Sequence, residues 1–123
     1  MSPLISKAHY KEAFILKECA LVIDVEGLVD ALNRRCFPFE TVEMEMEELE
    51  LFAKLDFRED RILTEMTDVR RDEPVIVASY GRELRVVDGN HRIKKRMLDG
   101  FGCCEVIIVP PAVLCQFAEP LAF

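Results

Sequence analysis

Asp88, His91 and Arg92 lie within one short stretch, Val86-Val87-Asp88-Gly89-Asn90-His91-Arg92-Ile93-Lys94-Lys95-Arg96. A carboxylate, an imidazole and a guanidinium at this spacing suit phosphoryl chemistry. Asp88 would orient His91 or a magnesium-bound water, while His91 and Arg92 would neutralise charge on the transferred group. Gly89 can take the positive φ that a sharp strand-to-helix turn needs, and Asn90 is a good N-cap. The first turn of a helix directs free N–H groups and the positive end of its dipole at an anion. Five basic or titratable side chains (His91, Arg92, Lys94, Lys95, Arg96) early in a helix oppose that dipole, at a few tenths of a kcal/mol per cation. A bound anion would relieve the conflict. Asp88 and His91 are thus candidate catalytic residues, and Gly89, Asn90, His91, Arg92 and Lys95 candidate nucleotide- or phosphate-binding residues. The competing reading is an Asp-Gly turn followed by an amphipathic helix. Ile93, Met97 and Phe101 would then face the core and the basic side chains water.

Placing this junction requires a strand before it and a helix after it. Residues 74–80 and 84–87 are apolar and β-branched around Gly81-Arg82, the pattern of a hairpin. A helix is expected from about His91 to Asp99, stopped by Gly100, and then a buried strand over 105–109. Upstream, residues 41–46 alternate strictly, with Val42, Met44 and Met46 on one side and Glu43 and Glu45 on the other. That is a half-buried strand. Asp56 and Glu59 resemble a capping box for a helix to about Val69. Helices are expected over 7–19, capped by Ser6, and over 25–35, ending before Pro38. Residues 21–23 fit a short strand or a continued helix. The apolar tail, 112–123, must pack on the body or on a partner. The expected architecture is α/β, in the α+β sense: a small mixed sheet with flanking helices. It forms a single domain over 1–123, with a helical N-terminal extension (1–39), a core (40–110) and an apolar tail (111–123).

Composition narrows the function. Half of the 123 residues are hydrophobic, and the net charge is −7. An acidic chain is poorly suited to hold DNA by bulk phosphate neutralisation. The five cysteines (19, 36, 103, 104, 115) are odd in number and irregularly spaced. They form no zinc pattern and read as reduced thiols of a cytoplasmic protein. No signal peptide or membrane-spanning run is visible. Six glutamates between Glu40 and Glu50 read as a solvated face. A divalent-metal site or a nucleic-acid-mimicking surface is the sharper alternative.

The segment 73–110, with Asp88-Gly89-Asn90-His91-Arg92 in its strand-turn-helix setting, resembles the core of the ParB/sulfiredoxin-like superfamily. With the strand at 41–46 and the helix at 58–69, the resemblance covers roughly residues 40 to 110. It implies a loop and helix start that bind nucleotide phosphates through Gly89, Asn90, His91 and Arg92. Asn90 stands where sulfiredoxins carry cysteine, so sulfinic acid reduction is not expected. Too few residues follow the core for the helix-turn-helix domain of partition proteins, so sequence-specific DNA binding is not expected either. The wording is nearest to the Asp-Gly-His-His-Arg motif of the superfamily's free-serine kinases, from which Asn90 departs.

Two functions follow. One is binding of ATP or CTP with Mg²⁺, with NTP hydrolysis, small-molecule phosphoryl transfer or nucleolytic cleavage as the open alternatives for turnover. The other is a small acidic, non-catalytic protein-binding factor, such as an inhibitor or accessory protein of a mobile element. In either case the N-terminal helices and the tail would contact a protein partner or form a homodimer.

Overall fold

A computed structural model describes residues 5, 13–16, 20–53, 55, 60–80 and 82–120. It is a mixed α+β protein with two small sheets and several helices. Strands β1 (Ala13–Leu16) and β2 (Leu21–Asp24) form an antiparallel hairpin. Helix α1 (Val25–Asn33) follows at once. Asp24 caps it, its Oδ1 accepting a hydrogen bond from the Gly27 N–H at 3.0 Å, and Val25, Leu28, Val29, Ala31 and Leu32 form its buried face. Strand β3 (Thr41–Glu45) leads into one helical turn, α2 (Met46–Leu49). Short helices α3 (Asp60–Glu65) and α4 (Asp68–Arg71) precede the hairpin of β4 (Val75–Tyr80) and β5 (Glu83–Asp88). Then come α5 (Asn90–Leu98), β6 (Cys103–Val109), the turn α6 (Pro111–Leu114), a 3₁₀ turn and β7 (Ala118–Pro120).

The larger sheet has the order β3-β6-β4-β5, with β6 and β4 parallel and the outer pairs antiparallel. The smaller is β1-β2-β7, all antiparallel. The central strand β4 is buried on both faces. Ile76 and Ala78 join Ile107 and Val109 in a cluster with Leu16, Ile23, Leu28 and Leu114. Val75 and Val77 join Val106 and Cys104 in a second cluster with Met44, Leu49 and Ile93. A strand covered on both sides needs a continuous apolar run rather than an alternating one, which is what residues 75–78 provide. Each fully buried aliphatic side chain contributes about 1.5–3 kcal/mol.

Several expectations change. Residues 13–16 are strand, not the end of a helix over 7–19: their backbone is committed to β2. The rest of that expected helix, 7–12 and 17–19, lies outside the described residues, as do Asp56 and Glu59 of the expected capping box. The helix expected to reach Val69 is two pieces, α3 and α4, the second capped by Thr67. In β3, Met44 is buried and Glu43 and Glu45 are exposed as expected, but Val42 is exposed too. The described part of the tail, 112–120, packs on the body, with Leu114 in the first core cluster and β7 extending the smaller sheet, while 121–123 lie outside the described residues. The described cysteines, Cys36, Cys103, Cys104 and Cys115, are free thiols. No helix among the described residues is long and apolar enough to cross a membrane.

Candidate functional site at the β5–α5 turn

Strand β5 ends at Asp88, and α5 begins at Asn90. The residue between them makes the turn: Gly89 has φ +115°, a conformation that costs an L side chain steric strain. A Cβ there would lie 3.0 Å from Val75 Cγ2 and 3.1 Å from Arg92 Nη2. The N-cap is therefore Gly89, not Asn90. Asn90 is the first helical residue, and Gly89, the N-cap, has no side chain to form a capping hydrogen bond. The Gly89 carbonyl starts the helix by accepting from the Ile93 N–H at 2.9 Å.

Arg92 is the most heavily buried charged side chain described, at 2 % exposure. It does not project into solvent from the helix start. Its Nη2 donates to the Pro74 carbonyl at 2.9 Å and to Asp88 Oδ2 at 3.3 Å. Burial pushes its pKa down, and the Asp88 charge opposes the shift. Among the described residues, its buried Nε has no hydrogen-bond partner. The Asp88 carboxylate is 12 % exposed. The pair spans the turn and fastens the end of β5 and the start of α5 to the residue preceding β4. Direct contact of Arg92 with a ligand would require this pair to open.

The other basic residues of α5 are engaged as well. Arg96 is 6 % exposed. It donates to the carbonyls of Arg71 at 3.0 Å and Cys103 at 3.4 Å, and its guanidinium carbon lies 5.8 Å from the centre of the Phe101 ring. Arg71 lies over the same ring at 4.5 Å and binds Asp72, Asp99 and Asp68. Its hydrogen bond to Asp72 raises the Arg71 pKa and lowers that of Asp72. Lys94 Nζ donates to the Leu55 carbonyl at 3.1 Å, and Lys95 pairs with Asp99 at 3.6 Å. Anionic and carbonyl partners inside the protein thus relieve the dipole conflict that the sequence raises.

Asp88, Gly89, Asn90, His91 and Arg92 are brought together at one turn, whereas Lys95 points to the far end of the helix and Asp99. His91 and Asn90 are half-buried. The Pro74 carbonyl, which accepts from Arg92, is the part of this region that residue types alone did not single out. The available signal was the i,i+4 spacing of Arg92 and Arg96, which sets both on one face of α5. Among the described residues, no group of three or more His, Cys, Asp or Glu side chains is placed to hold a metal ion. A magnesium ion at this turn would be held mainly by the phosphates it accompanies, with one or two carboxylates at most. Compared with family models, with curated proteins and with solved structures, the chain matches none of them.

Proposed function

We propose that the β5–α5 turn binds a nucleotide phosphate, with ATP or CTP as its ligand class. The observation that carries this reading is the left-handed Gly89, which turns the chain from Asp88 directly into a nine-residue helix and has no side chain of its own to cap it. A helix start of this kind offers backbone N–H groups and a positive dipole end to an anion. The resemblance of residues 40–110 to the ParB/sulfiredoxin-like core points to the same turn. In this reading His91 and the backbone of residues 90–92 address the phosphate. Asp88 and Arg92 hold the turn in shape, and Arg92 acts through its position rather than as an exposed contact.

The test is calorimetry and thermal melting with ATP and CTP in magnesium buffer, on the parent and on His91→Ala. Ligand at 100 times its Kd stabilises the fold by about 2.7 kcal/mol, and loss of one side-chain contact weakens binding up to about tenfold. Absence of heat and of a melting shift with either nucleotide at millimolar concentration would refute the proposal.

A second reading, a non-catalytic protein-binding factor, is favoured by a different observation. Arg92, Lys94, Lys95 and Arg96 all have partners within the protein, so the local positive charge is already used to hold the fold.

A further inference from the structure

Strand β3 is an edge of the larger sheet, pairing with β6 on one side. Among the described residues, no strand pairs with its other side. Edge strands expose backbone N–H and C=O groups that can receive an added strand. Two grooves run beside β3. One is lined by Glu43, Glu45, Glu47 and Cys103, the other by Glu43, Asp72, Arg96, Phe101 and Glu105. Glu43 and Glu105 are direct cross-strand partners, a like-charge pairing that weakens the sheet rather than supporting it. Arg96, which lines the second groove, is bound to the carbonyls of Arg71 and Cys103. From Cys36 to Ala53 the sequence contains six glutamates and no lysine or arginine. Val42, on the opposite side of the strand from Glu43, is 39 % exposed.

We infer that β3 is a docking edge for an extended basic segment of a partner protein, which adds to the sheet as a strand. Its lysine or arginine side chains would face Glu43, Glu45 and Glu105, and its intervening apolar side chains Val42. Charge selects this occupant over a second copy of the chain. Antiparallel self-pairing centred on Glu43 would set Glu43 against its own equivalent, between two subunits that each carry −7.

The probe is a labelled peptide of alternating lysine and valine. The controls are a peptide of equal charge with proline in place of valine, which cannot form the ladder, and a glutamate-valine peptide. Binding is read by fluorescence anisotropy, and its location by amide hydrogen exchange. The expected result is saturable binding of the lysine-valine peptide with new protection confined to residues 41–45. Affinity should be at least tenfold weaker for the proline peptide and for E43K/E45K, whose fold is checked by circular dichroism. Equal affinity for both basic peptides would reduce the effect to bulk electrostatics and overturn the inference, as would protection elsewhere. Concentration-dependent dimerisation that protects 41–45 without peptide would also overturn it, in favour of a second copy.

Discussion

Replacing Asp88 by asparagine keeps the shape of the side chain and removes its charge. The guanidinium that it faces is 2 % exposed and has, among the described residues, one other hydrogen-bond acceptor, the Pro74 carbonyl. Breaking a buried ion pair by neutralising one partner typically costs 3–5 kcal/mol, because the remaining charge cannot reach water. The lower end applies here. The Asp88–Arg92 distance of 3.3 Å exceeds the 2.7–2.9 Å of a strong charge-assisted bond, and the carbonyl and the asparagine oxygen remain as acceptors. The expected loss is about 3 kcal/mol, or roughly 10 °C in melting temperature for a domain of this size. Arg92→Met fills much of the same space and leaves Asp88, 12 % exposed, to recover part of its hydration. Its expected loss is about 1–3 kcal/mol. The double variant D88N/R92M should lose less than the sum of the two, since no charge is left unpaired. Urea denaturation of the four proteins measures this cycle directly. If Asp88→Asn lies within about 0.5 kcal/mol of the parent, the pair does not hold the turn, and Asp88 is left available for chemistry.

Two further outcomes are expected. Gly89→Ala must adopt φ +115° against Val75 and Arg92; it should cost about 1–3 kcal/mol, whereas Gly100→Ala, where a Cβ meets nothing within 4 Å, should lose only its own φ penalty. Comparing the two melting curves isolates the packing at the turn. Burial pushes the Cys104 thiol pKa up, so the folded protein holds that proton more tightly than the unfolded chain. Its contribution to stability is complete below the unfolded thiol value and is lost as pH rises from there towards the higher folded value. Urea midpoints across pH 7 to 10 should therefore fall more steeply for the parent than for Cys104→Ala, and parallel curves would refute the assignment.

The β4–β5 hairpin, α5 and β6 were legible because each carries an unambiguous period or an uninterrupted apolar run between turn residues. Residues 13–16 were not. Ala-Phe-Ile-Leu is too short for periodicity to separate helix from strand, and its pairing with β2 decides the matter. The strand at 118–120 was hidden because Ala-Glu-Pro is a poor strand former. Proline is tolerated there because β7 lies at a sheet edge. At the candidate site the turn itself could be read from Asp-Gly, but not the destination of Arg92. A basic residue at a helix start has the same letters whether it meets solvent, a ligand or a buried carboxylate. Only the approach of residues 74 and 88 distinguishes these.

The smaller sheet joins segments from opposite ends of the sequence: β2 is flanked by its own hairpin partner and by β7. During synthesis β1 and β2 can pair early, since they are neighbours in the chain. The other side of Leu21-Val22-Ile23 must wait until residues 118–120 have left the ribosome. Throughout that interval a β-branched, apolar strand edge stands open, and such an edge readily captures another chain. Non-local pairing of this sort also folds slowly, because the loop entropy is spent before the contact forms. Yield of folded protein should thus depend on how long nascent chains dwell in this half-built state, and a shortened C-terminus would prolong it indefinitely.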